Sequence, residues 1–543
     1  MKAANAVAEI LKREGVEFLI GYPVNPIIEA AAQADIRTII VRQERTGLHM
    51  ADAVGRVSSG QRIGVFTMQY GPGSENAFGG VAQAYGDSVP LIVLAAGYPR
   101  HLTNIPPNFN AFINYRHVTK WIEQVTLAEE VPHAMRRAFT QAKNGRPRPV
   151  LIEIPWDVFD GEVPEPIVYT SASAARTMPD PQAVKEVAKT LLEAESPVIY
   201  AGQGIHYAQA WESLRELADL LGAPVTTSLQ GKSAFPENHP LSLGSGGRSF
   251  PRAVQHFLEN ADVVFGIGCS FARTPFGITI PPDKTIVHGT LDPVDLNKDV
   301  PAEYALLGDA RLTLETLIRE IKDILGSREQ RDSTSVAESI KAIKADWMAQ
   351  WMPKLTSDET PLSPYRVIWD LMHTVDRSNT IITHDAGSPR DQLSPFWEAV
   401  APLTYIGWGK TTQLGYGLGL AMGAKLARPE RLCINVMGDA AIGMTGMDFE
   451  TAARERIPIL TILLNNFSMA IEIPIMKVAT EKYGSTDISG NYAEFATALG
   501  GYGERIARPA DIVPAIKRGV QKVKEGIPAL LEFITAKEIE YSI

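Results

Sequence analysis

Cysteine is nearly absent from this chain: Cys269 and Cys433 are the two among 543 residues. That excludes a disulfide framework and fits a reducing cytoplasm. Each lies in or beside an apolar run, so each is expected to pack in a core. Long hydrophobic runs are lacking as well. No stretch reaches the roughly 18 apolar residues that cross a bilayer. The amino-terminal MKAANAVAEILKREGVEF carries charge throughout, so it reads as an amphipathic helix and not a signal peptide. Basic blocks are missing too, and 62 Asp+Glu against 52 Lys+Arg leave a net charge of −10. A nucleic-acid surface is therefore not expected, and neither is a membrane partner.

What the chain does have is short apolar runs alternating with helical periodicity. FLIGY, IRTIIV, RIGVFTM, PLIVLAA and VLIEIP lie in the first third. SPVIYAGQGI, APVTTS, DVVFGIG, KTIVHGTLD and YALLGDA follow, and NTIITHDAG, LCINVMGD, ILTILLNN and ALLEFIT come last. Runs without polar alternation are buried on both faces, which means parallel strands covered by helices. The loose stretch 159–181 reads as a linker, and a polar helical stretch spans about 326 to 360. The expected fold is α/β, with three doubly wound, mainly parallel-sheet domains at 1–165, 182–325 and 361–543, each near the size of one core.

The most specific segment is 436–471. Its first strand breaks at Gly438-Asp439-Ala440 and its second at Asn465-Asn466, with the helical pattern TGMDFETAARER between. Parallel strands joined by one helix place both breaks at one sheet edge, where α/β sheets bind ligands. A carboxylate and a side-chain amide on Gly-flanked loops form an oxygen-only set suited to Mg²⁺ beside a phosphate. The structural alternative is a plain βαβ unit, with Asp439 capping a helix and the Asn pair making a turn.

Gly-Asp-Ala followed, after residues 441–464, by Asn-Asn resembles the thiamin diphosphate (ThDP) signature usually written GDG…NN. Ala440 at the third position resembles the acetohydroxyacid synthases and their benzoylformate-decarboxylase-like relatives, and the likeness runs from residue 1 to about 535. It implies a pyrimidine-binding, a middle and a diphosphate-binding domain, ThDP and Mg²⁺ as cofactors, and a small-molecule carbonyl substrate. It also implies a homodimer or homotetramer with active sites at the subunit interface. The metal would take Asp439, Asn466 and the Ser468 carbonyl. Gly438, Ala440, Ala441, Met469, Ala470 and Ile471 would line the cofactor, as would Gly387 and Ser388 of the HDAGS loop. The Thr412 carbonyl would receive the 4′-amino group, and Leu414 would prop the cofactor's bend, although a plain core leucine is the alternative. His384 and Glu472 could move protons; an incidental histidine and a solvated acid are the alternatives.

Glu44 stands where strand IRTIIV ends and a helix begins, a place a helix-start acid also occupies. By resemblance it hydrogen-bonds N1′ of the aminopyrimidine and thereby promotes loss of the thiazolium C2 proton. Asn25, in GYPVNP, and Gln69-Tyr70, in QYGPG, correspond to loops beside the reacting carbon; the alternatives are a turn residue and a half-buried core tyrosine.

Gly202-Gln203-Gly204, Ser270-Phe271 and Asp292 fall at middle-domain strand ends, as nucleotide contacts do. FAD is kept as an alternative there, and a domain without nucleotide is the preferred reading. Two departures from the synthases count. Their PKDV lysine is Trp156 here, and PPNFNAFINY (106–115) replaces their Phe-Gln-Glu loop. The expected activity is carbon–carbon bond cleavage or formation on a 2-oxo acid or related carbonyl compound, as a decarboxylase, lyase or carboligase-type transferase. The alternatives are a catalytically silent partner of the same fold and a flavin-containing oxidoreductase.

Overall fold

A computed structural model describes residues 1–171, 173–326 and 330–543; Ala172 of the linker and residues 327–329 of the polar stretch lie outside the described residues. The first sheet contains β1 (Phe18–Tyr22), β2 (Arg37–Ile40), β3 (Gly64–Met68), β4 (Leu91–Gly97), β5 (Trp121–Gln124) and β6 (Val150–Pro155). The second contains β7 (Val198–Ala201), β8 (Val225–Ser228), β9 (Ser242–Gly246), β10 (Val263–Ile267), β11 (Thr285–Thr290) and β12 (Tyr304–Leu307). The third contains β13 (Thr380–His384), β14 (Tyr405–Ile406), β15 (Leu432–Gly438), β16 (Leu460–Asn465), β17 (Tyr502–Ile506) and β18 (Ala529–Ile534). The strand pairs are parallel. Central strands such as β4 are buried along their whole length, because helices cover both faces.

The first sheet runs β2-β1-β3-β4-β6-β5 and the third β14-β13-β15-β16-β18-β17, the same order twice. The middle sheet runs β12-β11-β10-β7-β8-β9. That is the dinucleotide-binding order, with its switch point between β7 and β10. Both cysteines are buried and free. Among the described residues, no helix is long and apolar enough to cross a membrane.

Corresponding helices of the first and third domains pack on each other: Glu44–Val57, which follows β2, and Tyr416–Ala427, which follows β14. Small residues permit a backbone-close approach. A Cβ at Gly423 would meet the Met50 carbonyl oxygen at 2.1 Å, and one at Gly419 would meet His49 Cβ at 2.5 Å. One expectation is corrected. The link from β15 to β16 is two short helices, Asp439–Thr445 and Asp448–Arg454, and not one. The chain turns at Gly446, where a Cβ would meet the Ile442 carbonyl oxygen at 2.5 Å. Ile471 and Glu472 lie in a 3-10 turn, Ala470–Glu472, and the next α-helix begins at Lys477.

Candidate active site

Strands β15 and β16 pair with Gly438 opposite Leu464, so Asp439 and Asn466 leave the sheet side by side. The Ser468 N–H donates to Asp439 Oδ2 at 3.1 Å and to Asn466 Oδ1 at 2.9 Å. Ala440 N–H donates to Asp439 Oδ1 at 2.9 Å. Burial pushes the Asp439 carboxyl up, against these amides and that of Phe467. Among the described residues, no cation pairs with it. A buried carboxylate beside an amide oxygen, with no positive partner, has the donor chemistry of a hard-cation site. No group of three or more His, Cys, Asp or Glu among the described residues could hold a metal. Asp439, Asn466 and the Ser468 carbonyl are the oxygens at this edge that could hold an ion. Asn465 is core, donating to Glu532 at 2.7 Å.

The neighbouring strand β13 delivers a second loop. Asp385 is buried and accepts from the amides of Ala386 (2.8 Å), Gly415 (2.8 Å) and Gly417 (2.9 Å). It thus ties HDAGS to the end of the loop that carries Thr412 and Leu414. Burial raises its carboxyl to about 6 despite those amides. Gly387 has φ +80° with open space where a Cβ would be. Ser388 begins a helix, its hydroxyl 2.8 Å from that of Tyr541. Among the described residues the Thr412 carbonyl accepts no hydrogen bond, so a loop acceptor is left for a ligand. Leu414 is half-buried against the main core. His384 is not on a loop. It is the last residue of β13, fully buried and stacked on Trp408 with ring centroids 5.1 Å apart. Burial and the Arg390 charge hold it far below the ordinary histidine range.

In the first domain Glu44 opens its helix, and the Asn76 amide donates to it at 3.3 Å. Burial raises its carboxyl, with its own backbone amide and Asn76 opposing. A Cβ at Gly73 would stand 3.5 Å from Glu44 Oε1 and 3.1 Å from Gln69 Cβ. Glycine there lets the acid and the Gln69 loop approach. Asn25 is exposed and opens a helix, Asn25–Gln33. Tyr70 is half-buried, its ring 4.6 Å from Tyr98 and 5.7 Å from Trp156. Among the described residues, Glu44 makes no hydrogen bond to Asp439, Asn466 or Ser468.

Residues that sequence reasoning passed over hold this machinery in place. Asp87, at the end of the Pro72–Gly86 helix, accepts from the Gly409 amide (3.2 Å) and the Lys410 amide (3.1 Å). Arg56 donates to Asp52 at 2.5 Å, to Asp87 at 3.1 Å and to the Gly407 carbonyl at 3.1 Å. The Tyr416 hydroxyl donates to Asp52 at 2.9 Å. The network is buried. Burial opposes the guanidinium charge, but Asp52 and Asp87 hold it well above the ordinary arginine value. Asp52 and Arg56 stand in the TGLHMADAVGR helix, which resembles the helix after the acid in the family, but their i,i+4 spacing alone reads as an ordinary helix pair, and Asp87 shows no local signal.

The middle sheet has a cavity of about 390 Å³ at its switch point, lined from all three domains by residues including Tyr200, Gln203, Ser270, Asp292, Arg146 and Lys410. Lys410 Nζ reaches Ser270 Oγ at 2.7 Å. Burial, with Arg146 nearby, lowers that amine to about 8.

Family models match three segments of the chain. Residues 1–127 match the thiamine pyrophosphate enzyme N-terminal TPP binding domain, 184–317 the central domain and 385–533 the C-terminal TPP binding domain. The chain is 31% identical to a probable acetolactate synthase large subunit of Methanocaldococcus jannaschii, over 98% of this chain and 92% of that protein. It is 29% identical to the probable acetolactate synthase large subunit of Methanococcus aeolicus, over 98% and 92%. It is 27% identical to the acetolactate synthase isozyme 3 large subunit of Escherichia coli, over 97% and 93%. With three parallel α/β domains, the matched domain models and full-length likeness to such synthases, the chain belongs to the acetolactate-synthase-like family of thiamin-diphosphate-dependent enzymes.

Proposed function

We propose that this protein uses ThDP and Mg²⁺ to break and form carbon–carbon bonds at the carbonyl of a 2-oxo acid or a related compound. The observation that carries the reading is the Asp439–Asn466–Ser468 group: a buried carboxylate without a cation, sharing one backbone N–H with an amide oxygen. When bound, the cofactor supplies a nucleophilic carbon and an electron sink. Asp439, Asn466 and the Ser468 carbonyl would hold the metal. The amides of Ala440 and Ala441, with Gly387 and Ser388, would face the diphosphate. The Thr412 carbonyl would orient the aminopyrimidine, Leu414 would support its bend, and Met469, Ala470 and Ile471 would flank it. Glu44, whose carboxyl is raised by burial, would hydrogen-bond a ring nitrogen. Gln69 and Asn25 offer amides to a substrate oxygen.

Large apolar side chains stand exposed near both halves of the site: Phe78 in the first domain, Met444, Met447 and Phe467 in the third. They support a second copy of the chain covering this edge, as a homodimer or a pair of dimers. Calorimetry tests the cofactor assignment. ThDP with Mg²⁺ is expected to release binding heat, and Asp439→Asn to weaken that binding roughly ten- to a hundredfold or more. No heat with Mg²⁺ present overturns the reading.

The cavity at the β7/β10 switch point favours a second ligand, a nucleoside diphosphate or a flavin dinucleotide, by its position and its volume. A thermal-shift titration with ADP and with FAD checks this. A bound nucleotide at a hundred times its Kd is expected to stabilise by about 2.7 kcal/mol. No shift with either leaves the middle domain structural.

A further inference from the structure

Four adjacent strands of the first sheet each carry an aromatic residue at the end or within two residues beyond it. In sheet order they are β1, β3, β4 and β6. Tyr22 is the last residue of β1, Tyr70 stands two residues beyond β3, and Tyr98 and Trp156 directly follow β4 and β6. Register aligns these ends: Tyr22 lies opposite Met68, Met68 opposite Ala95, and Gly97 opposite Pro155. The rings of Tyr70, Tyr98 and Trp156 touch, and Tyr22 is exposed. The row starts beside the acid, because Glu44 follows β2 at the same edge and meets the Gln69 loop at Gly73.

The polar tips along this edge are unused. Among the described residues, the hydroxyls of Tyr22, Tyr70 and Tyr98, the Trp156 indole N–H and the side-chain amides of Asn25 and Gln69 have no protein partner. None is a buried orphan, so all face accessible space. The segments 22–25, 69–71, 98–100 and 156–159 contain one cation, Arg100. It is already committed to Asp157 at 2.8 Å and to the Thr126 carbonyl at 3.2 Å.

We infer that this aromatic edge selects the second reactant, and that it takes a neutral hydroxylated aldehyde or ketone in preference to a second 2-oxo acid. The inference rests on the proposed carbon–carbon chemistry. Ring faces cover C–H surfaces, while phenol and amide tips pair hydroxyls. A carboxylate brought against these four segments, away from the Glu44 end, would lose water without gaining a free cation. The reaction balances without an oxidant or reductant. The 2-oxo acid loses carbon dioxide, its acyl carbon bonds to the acceptor's carbonyl carbon, and the acceptor's oxygen takes a proton from solvent to give a 2-hydroxy ketone. Trp156 and Tyr98 are thereby specificity-determining residues.

The test is a competition on the ThDP- and Mg²⁺-loaded protein. A panel of 2-oxo acid donors, pyruvate first, is mixed with equimolar glyceraldehyde and 2-oxobutyrate, and the ketol products are separated by mass spectrometry. The glyceraldehyde adduct is expected to exceed the 2-oxo acid adducts about tenfold or more. Trp156→Lys is expected to lower that ratio about tenfold by supplying the missing cation, while Trp156→Phe holds it. Tyr98→Phe, which keeps the ring, lowers it a few-fold through the lost hydroxyl. Predominance of the 2-oxo acid adduct in the unaltered protein overturns the inference, as does a ratio that Trp156→Lys and Tyr98→Phe both leave unmoved. Absence of ketol from every mixture, with ThDP bound, rejects the carbon–carbon-forming reading and the inference with it.

Discussion

Glu44→Gln is expected to lower kcat by about a hundred- to ten-thousand-fold, the range for loss of a positioned acid–base group, while ThDP and Mg²⁺ still bind. The separation of effects follows from the geometry. Glu44 bonds to Asn76 at the start of a first-domain helix, whereas Asp439, Asn466 and Ser468 are knotted together in the third domain. Glutamine keeps the shape and can still face Asn76, but it cannot exchange the proton. Calorimetry should therefore show near-native cofactor binding beside collapsed turnover. Exchange at the cofactor's C2, followed by NMR, should slow in parallel. Full turnover in Glu44→Ala would sink the assignment of the acid.

Arg56→Met is expected to destabilise the fold by about 3–5 kcal/mol, the usual result of removing one member of a buried charged group. Asp52 and Asp87, both buried, would then face each other without their shared cation. The urea midpoint reads this directly. Adding Asp52→Asn and Asp87→Asn to Arg56→Met should recover part of the loss, because the uncompensated charges go too. The variant should also bind ThDP more weakly, since Arg56 and Asp87 fix Gly407, Gly409 and Lys410 just ahead of Thr412. A midpoint within error of the unaltered protein would show that the network contributes nothing net.

The parts of this structure that sequence exposes are those where one physical demand dominates. Strands such as LIVLAAG and LCINVMG are buried on both faces, so unbroken hydrophobicity marks them. The strands that escape notice are edge strands: β5 (WIEQ), β9 (SLGSG), β14 (YI) and β17 (YGERI). Edges stay short and carry polar residues that blunt further pairing, which removes the signal that marks central strands. In the site, Asp439, Asn466 and Glu44 are legible because each stands at a break after an apolar run. Asp87 and Asp385 resist a reading by type. Their carboxylates accept backbone amides of segments far away in the chain, and no local spacing encodes a distant N–H. His384 misleads for the opposite reason: the strand runs two residues further than its last apolar side chain, Ile382.

The pairing of the Glu44–Val57 and Tyr416–Ala427 helices acts as a ruler. The acid heads one of these helices and the Thr412–Leu414 loop feeds the other, and at Gly419 and Gly423 the second helix places no side chain of its own between them. Backbone against backbone has almost no give, whereas interdigitated side chains can slide between rotamers. Thermal drift in the domains is therefore not passed on to the spacing of acid and loop. A side chain added at either glycine would be felt as a change of spacing between the ends of the two helices, far from the substituted residue.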